Sequence, residues 1–454
     1  MAVAVAMLGA WLFLPMSGIL IPGFPDVTKM TVACASVMLA TTIFDSGRLL
    51  RLRPSVVDLP MITWCVAVPM LSALSAGWGA YEGFSGIVTQ SISWGMPYLV
   101  GRLYFCTPDD IRFLSIAVVV SGIVYAPLCW FEMRFSPQLH TWIYGFHQHD
   151  FSQTKRGGGW RPTVFMQHGL MVSVWMCTAA LLATWMAWTR ATPTLFRLPM
   201  WLWAITLLLT AVLCRSTGAT LLMLAATALL AATWLLRTQL MLVILILIPV
   251  GYVSLRTVGG WDAREIDKLA FTVFNEERAG SLRMRLQSET QTWILLRDST
   301  IFGRGRFDFV NQQVSEEFER GIVPDSYWII VTGVYGLFGL TVFFLLICLP
   351  PITSLLSLPR YSLRSPVAAP IIGVSTVLGV YVLDCLVNAM LNPIFTMIAG
   401  GLVSTAASLR LARRQALSAQ RRALAPPGPL PPPPSPPAPT QPPLRSGPPR
   451  PQGQ

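Results

Sequence analysis

Four stretches of the chain carry groups capable of chemistry on an otherwise apolar background. The longest, Thr257 to Ser326, holds 12 of the 21 Asp and Glu residues together with nine Lys or Arg. Within it Ala279 to Asp298 reads as a helix, because Leu282, Leu286, Trp293 and Leu296 fall at helical spacing. Arg283 and Arg285 sit in its first turns, and Glu289, four residues after Arg285, offers an ordinary helix-surface pair. Phe302-Gly303-Arg304-Gly305-Arg306 follows, where glycine permits a tight turn or a close backbone approach. Asp325 stands at the far end, at the mouth of an apolar run, where an acid either caps the next helix or takes a proton from a hydroxyl. A second stretch, Glu132 to Arg161, contains His147-Gln148-His149-Asp150 and then Lys155-Arg156-Gly157-Gly158-Gly159-Trp160-Arg161. Its HxHD pattern lacks the further ligand that a metal centre needs. Third is Arg215, at the end of an apolar run, as either an interface anchor or an anion ligand. Fourth is His168, expected about two turns into an apolar run, where a polar side chain is more often functional or helix-bonded than idle.

The elements that must position these groups are membrane helices. The 454 residues are 53% hydrophobic and 12% charged, with a mean hydropathy of +0.57, which excludes an ordinary soluble domain. Apolar runs fall near 2 to 21, 28 to 45, 59 to 77, 84 to 101, 111 to 131, 163 to 188, 199 to 214, 217 to 236, 239 to 256, 327 to 350, 366 to 387 and 391 to 409. The expectation is an all-α polytopic protein of about 12 transmembrane helices. A net charge of +12 would suggest nucleic acid in a soluble protein. Here the basic residues follow the even-numbered runs, at Arg48, Arg51 and Arg53, Arg102 and Arg112, Arg190 and Arg197, Arg237, Arg360 and Arg364, and Arg410 to Arg422. That asymmetry predicts both termini on the cytoplasmic side and no nucleic-acid partner. The long charged segment, the Glu132 to Arg161 segment and the Arg215 turn then face outward, and the charged segment becomes the roof of an active site.

The expected organisation is helices one to nine over 1–256, a large periplasmic loop over 257–326, helices ten to twelve over 327–410 and a cytoplasmic Pro-rich disordered tail over 411–454. The N-terminus starts apolar with no basic leader and reads as a retained first span. The eight cysteines lie within or at the ends of apolar runs with no CxxC pair, so neither a disulfide framework nor a thiolate metal site is expected.

Taken in order, these features resemble the O-antigen ligase and Wzy polymerase superfamily. That family's loop motif is a His followed by a polar residue, nine residues, Gly, two residues and a small residue. This chain reads Asp325, Ser326, nine residues, Gly336, two residues and Gly339. Its Arg285, Trp293 and Gly303 follow the family's order of Arg, Trp-containing helix and glycine turn, and Arg215 stands in a short outward turn where the family has a Ser-Arg-Gly-like motif. The departure is Asp325 in place of the ligase His, with all four histidines before residue 170.

The resemblance implies an integral-membrane glycosyltransferase of the bacterial inner membrane. It would polymerise or transfer glycans of exopolysaccharide or O-antigen type from an undecaprenyl-diphosphate carrier to a sugar hydroxyl on the outer face, without metal or cofactor. Arg215 and Arg285 would hold the diphosphate, since a guanidinium binds phosphate oxygens in pairs and stays charged, and Asp325 would be the base. Arg283, Arg161, Arg304, His168 and Trp160 would contact substrate, Trp160 by stacking on sugar. Membrane lipids, and a flippase or chain-length regulator, are the implied partners. The Asp tilts the reading from ligase toward polymerase. A ligase acting on lipid A core, a transporter of the lipid-linked glycan and an inactive relative are the alternatives. The acids at run ends, and the lack of matching halves, count against transport.

Overall fold

An apolar chain withdrawn from water must satisfy its backbone polar groups internally, and a helix does so within one segment. The computed structural model describes residues 1–19, 26–316 and 321–424. Each of the twelve apolar runs is helical over most of its length. The end of the first run, the Pro431 to Pro434 run and the side chains of Arg421 and Arg422 lie outside the described residues.

Besides short turns of helix at Ser46–Leu50 and Leu139–Tyr144, the helices in chain order are α1 (Ala2–Phe13), α2 (Lys29–Phe44), α3 (Val56–Ser75), α4 (Ala80–Gln90), α5 (Met96–Tyr104), α6 (Pro108–Phe135), α7 (Gly169–Trp188), α8 (Met200–Leu213), α9 (Thr217–Leu236), α10 (Leu240–Thr257), α11 (Arg264–Val273), α12 (Glu276–Leu295), α13 (Tyr327–Ser357), α14 (Ala369–Asp384) and α15 (Pro393–Leu424). Among the described residues seven are long and apolar enough to cross a membrane: α3, α6, α7, α9, α10, α13 and α15 up to Gln420. The apolar helices α1, α2, α8 and α14 are shorter. The remaining run is divided into α4 and α5, joined by a π-helical turn at Ser91–Gly95. Expectation and structure thus agree on a helical membrane protein, while seven helices rather than twelve have the length of a full crossing.

Residues Met1–Arg410 form one compact unit. Its centre is α7, apolar on every face and buried against α6, α8, α9 and α14. The second centre is α14, buried against α13, α10, α9, α7 and α6. The second unit begins at Leu411, and its described part is helical to Leu424. Residues 411–424, expected to belong to a disordered tail, are therefore helical, and the rest of that expected tail lies outside the described residues.

Three local expectations change. The helix placed at Ala279 to Asp298 is α12, which starts three residues earlier because Asn275 caps it, its side chain accepting from the Arg278 amide. Glu132 belongs to α6 and is fully buried, its carboxylate accepting from the amides of Leu139, Thr163 and Val164, so the segment expected to face outward begins at Ser136. His168 lies outside α7 as its N-cap, with Nδ1 accepting from the Leu170 amide at 3.0 Å.

Packing against α10 and α13 fixes α12. Its Glu289, 3% exposed, accepts from Arg256 Nε at 2.9 Å, the Tyr252 hydroxyl at 2.7 Å and the Trp328 indole N–H at 3.3 Å. Arg256 spends its other donors on the carbonyls of Trp261 and Leu286 and on Thr290. A buried pair this extensively hydrogen-bonded fixes geometry more than it adds stability. The expected surface pair of Arg285 with Glu289 does not form, because Glu289 points to the opposite partner.

The other constraint is a splice in α13. At Gly336 the backbone leaves the helix, with φ of 65° and ψ of −166°. The 300–305 segment supplies the missing partners: Leu337 and Phe338 amides donate to the Thr300 and Ile301 carbonyls, both at 2.9 Å. In return the Arg304 and Gly305 amides donate to the Gly333 and Val334 carbonyls at 3.0 and 2.9 Å. A Cβ at Gly303 would overlap the backbone of Val334 and Gly336, and one at Gly336 the backbone of Ile301 and Gly303. The two glycines exist for this backbone crossing.

Candidate functional site

The site forms where the polar ends of several helices meet. Arg156 and Trp160 lie on a hairpin, β1 (Lys155–Arg156) with β2 (Gly159–Trp160). Gly157 and Gly158 turn it at φ of 53° and 73°. Arg215 occupies the turn before α9 in a left-handed conformation, φ 57°, that a side chain adopts at a cost. Its guanidinium reaches across to the hairpin and donates to the carbonyls of Arg156, at 3.1 Å, and Gly157. A Cβ at Gly159 would overlap that guanidinium, so the third glycine makes room for an arginine. Arg161, 7% exposed, closes the loop by donating from Nη2 to the Arg215 carbonyl at 2.9 Å.

Opposite this group stand α12 and the start of α13. Arg285 Nε lies 3.7 Å from Asp325 Oδ2, and its Nη1 donates to Ser281 Oγ at 3.2 Å. The Asp325 carboxylate is half exposed. It does not cap α13. The N-cap is Ser326, which makes no side-chain cap bond; the Tyr327 amide instead donates to the carbonyls of Cys385 and Asn388 at 3.1 and 3.2 Å. The start of α13 is thereby seated on the turn that follows α14, beside Asp384, which is 2% exposed and accepts from the Asn388 amide group at 2.6 Å.

The electrostatics are those of crowded cations. Burial, and then the charge of Arg156, draws the Arg161 guanidinium down to about 10, with Arg285 adding to the effect. Burial also lowers Arg285, against the opposing pull of Asp325 and Asp384. His168 is drawn down to about 4 by burial and then by His149, Arg161, Arg285 and Arg156. It is therefore neutral at pH 7: Nδ1 accepts from Leu170, so Nε2 carries the proton and donates to Gln153 Oε1 at 3.0 Å. The Nε–H groups of Arg161 and Arg285 are both buried and make no hydrogen bond among the described residues, Arg285 Nε having only the longer ionic contact to Asp325. Two such donors among neighbouring guanidiniums can accept an anion with several oxygens.

The structure thus brings together Arg161, Arg215, Arg285, Asp325 and His168. Three other expected contacts have different surroundings. Arg283 binds both oxygens of Asp267 on α11 and lies over the Phe271 ring at 4.0 Å. Two residues from Arg285 on one helix, it turns to another face. Arg304 pairs with Asp308 at 3.1 Å on the splice segment. Trp160 packs its ring against Phe151 and under the Lys155 ammonium, at 5.6 and 5.1 Å. His147 of the HxHD pattern lies against the His149 and Pro137 carbonyls, and His149 against the His168 ring at 5.0 Å. Among the described residues no group of three or more His, Cys, Asp or Glu is arranged to hold a metal.

Sequence reasoning missed Arg156, Asp384 and the Arg256–Glu289 pair. Asp384 carried a usable signal, an acid inside an apolar run. Arg256 stands at the end of an apolar run, and nothing in its spacing reveals its partner. No protein-family model and no curated protein matches this chain.

Proposed function

We propose that the protein is an integral-membrane glycosyltransferase of the O-antigen ligase and polymerase type, acting on a glycan carried by undecaprenyl diphosphate. The observation that carries this reading is the pair of orphaned, buried guanidinium donors at Arg161 and Arg285 beside the Asp325 carboxylate. In the proposed topology the chain crosses the bacterial inner membrane twelve times, α4 with α5 counting as one crossing. Both termini are then cytoplasmic and the 257–326 segment periplasmic.

The reaction has a defined balance. The acceptor hydroxyl oxygen bonds to the anomeric carbon of the carrier-linked glycan. The bond from that carbon to the diphosphate oxygen breaks, the electron pair leaves with undecaprenyl diphosphate, and the hydroxyl proton passes to Asp325. Arg285, Arg161 and Arg215 stabilise the charge that grows on the diphosphate. Arg285 is shared: once diphosphate oxygens occupy its Nε–H, the 3.7 Å contact to Asp325 loosens and the carboxylate is released to the acceptor. His168, neutral, orients without adding charge.

Purified protein supplied with a defined undecaprenyl-diphosphate oligosaccharide should yield longer chains. A single new linkage on a separate acceptor would indicate a ligase, and absence of product with every acceptor would refute glycosyl transfer. Buried Asp384 and the discontinuity in α13 are features that transporters also use. In proteoliposomes, carrier translocation without chain growth would establish that second reading.

A further inference from the structure

A cavity of about 320 Å³ lies outside the arginine cluster and has Gln167, the neighbour of His168, in its wall. Its lining includes the first turns of three helices: Lys29, Met30 and Thr31 of α2, Met171 of α7 and Pro393 of α15. Helix N-termini carry partial positive charge, and three of them here share one cavity with an ammonium group. Lys29, 7% exposed, donates to the Phe165 carbonyl at 3.1 Å and the Leu14 carbonyl at 3.4 Å. The third side of the ammonium faces the Trp11 ring, 4.6 Å from its centroid, so an anion at Lys29 would displace that ring contact or the long one to Leu14. Trp11, 5% exposed, lines the same cavity, and its indole N–H has no partner among the described residues. Trp94, on the π-helical turn, and Tyr381 add further aromatic wall, and Asn392 and Gln167 add amides. Among the described residues of the lining the one carboxylate is Asp26, which is exposed.

Aromatic faces with polar groups at their edges suit a pyranose ring. The buried ammonium and the three helix ends call for an anion on it. The cavity also adjoins the proposed chemistry, because the Trp94 ring stacks on Tyr327 at 6.0 Å, two residues after Asp325, and Gln167 precedes His168.

We infer that this cavity is the acceptor site and takes a sugar bearing a carboxylate, a uronic-acid-type pyranose, with the carboxylate at Lys29 and the ring against Trp11 and Trp94. The inference rests on the glycosyl-transfer reading for its role as acceptor, while the binding itself is independent of that reading.

The test is a saturation-transfer NMR titration of the detergent-purified full chain with methyl β-glucuronide, methyl β-glucoside and inorganic phosphate. The glucuronide should bind at least about tenfold more tightly than the glucoside, the worth of one charge-assisted hydrogen bond. Lys29→Met should remove that difference and Lys29→Arg should keep most of it, whereas Arg215→Gln should leave it unchanged. Equal affinity for the two glycosides, no binding of either, or displacement of the glucuronide by phosphate at equal concentration would each overturn the inference. Should Lys29→Met fail to fold, the wild-type contrast between the two glycosides decides alone. Loss of glucuronide binding with chain growth on a neutral acceptor intact would sink this inference only. Binding without transfer to any acceptor would sink the acceptor role together with the proposed reaction.

Discussion

At the scale of single residues the site depends on where two acids go. Asp325 was open to two readings, cap or base, and the backbone decides against the cap, since the carbonyls of Cys385 and Asn388 receive the Tyr327 amide. Asp325→Asn is therefore expected to lower turnover by roughly 100-fold or more while leaving expression and carrier binding near wild type. Near wild-type turnover in a single-turnover assay would remove Asp325 from the chemistry. Glu289 was misread for a physical reason. Spacing along a helix shows which neighbours are available on its surface, but a tertiary partner that also desolvates the acid wins, and Arg256 does both. His168 supplies a pH prediction. Its folded-state value near 4 lies below the ordinary 6.5, so the unfolded chain binds the proton more readily. The stability from burying the neutral ring is complete above pH 6.5 and is lost as pH falls toward 4. Melting temperature should drop across that window, and His168→Gln, which keeps an acceptor and a donor, should flatten the drop.

At the scale of elements, α12 is the part that carries Arg285, and its position rests on a buried ion pair. Glu289→Gln should cost about 3–5 kcal/mol, because it leaves Arg256 charged and unpaired in the interior. Replacing both partners, Arg256→Met with Glu289→Leu, should recover most of the melting temperature while lowering carrier affinity if α12 shifts. The apolar helices were legible because burial on all sides leaves an unbroken apolar run, as in α7 and α14. The α13 splice was only half legible. Gly303 permitted a tight turn or a close approach, but nothing showed that it approaches Gly336, because a contact across 33 positions leaves no periodic trace. Gly159→Ala tests a second such approach: it should displace the Arg215 guanidinium and weaken pyrophosphate binding by an order of magnitude or so, with the fold retained.

For the whole molecule, orientation is the claim most open to a direct measurement. Among the eight cysteines seven are buried and Cys106 is half-buried, so an introduced thiol stands out against a quiet background. Glu316→Cys in intact cells should react with a membrane-impermeant maleimide added from outside. Protection there, with labelling only after lysis, would invert the proposed topology. The sequence indicated a membrane protein through its hydropathy, and the alternation of arginines at run ends is the basis of the proposed sidedness. It could not show that the hairpin at Arg156, the turn at Arg215, the helix at Arg285 and the acid at Asp384 gather at one place. Those four come from separate stretches of chain, and only packing brings them into electrostatic reach.

The splice between the 300–305 segment and α13 also turns two backbone amides into a gauge. Leu337 and Phe338 lie within an apolar helix, yet their hydrogen-bond acceptors belong to the charged segment outside it. Their deuterium uptake should follow the opening of that segment rather than the fraying of the helix, well above that of Phe343 or Ile347 further along the same helix. Pyrophosphate, by holding Arg285 and so the segment that bears it, should slow uptake at these two amides selectively. Occupancy of a site built from side chains would then be read out in the exchange of a helix interior.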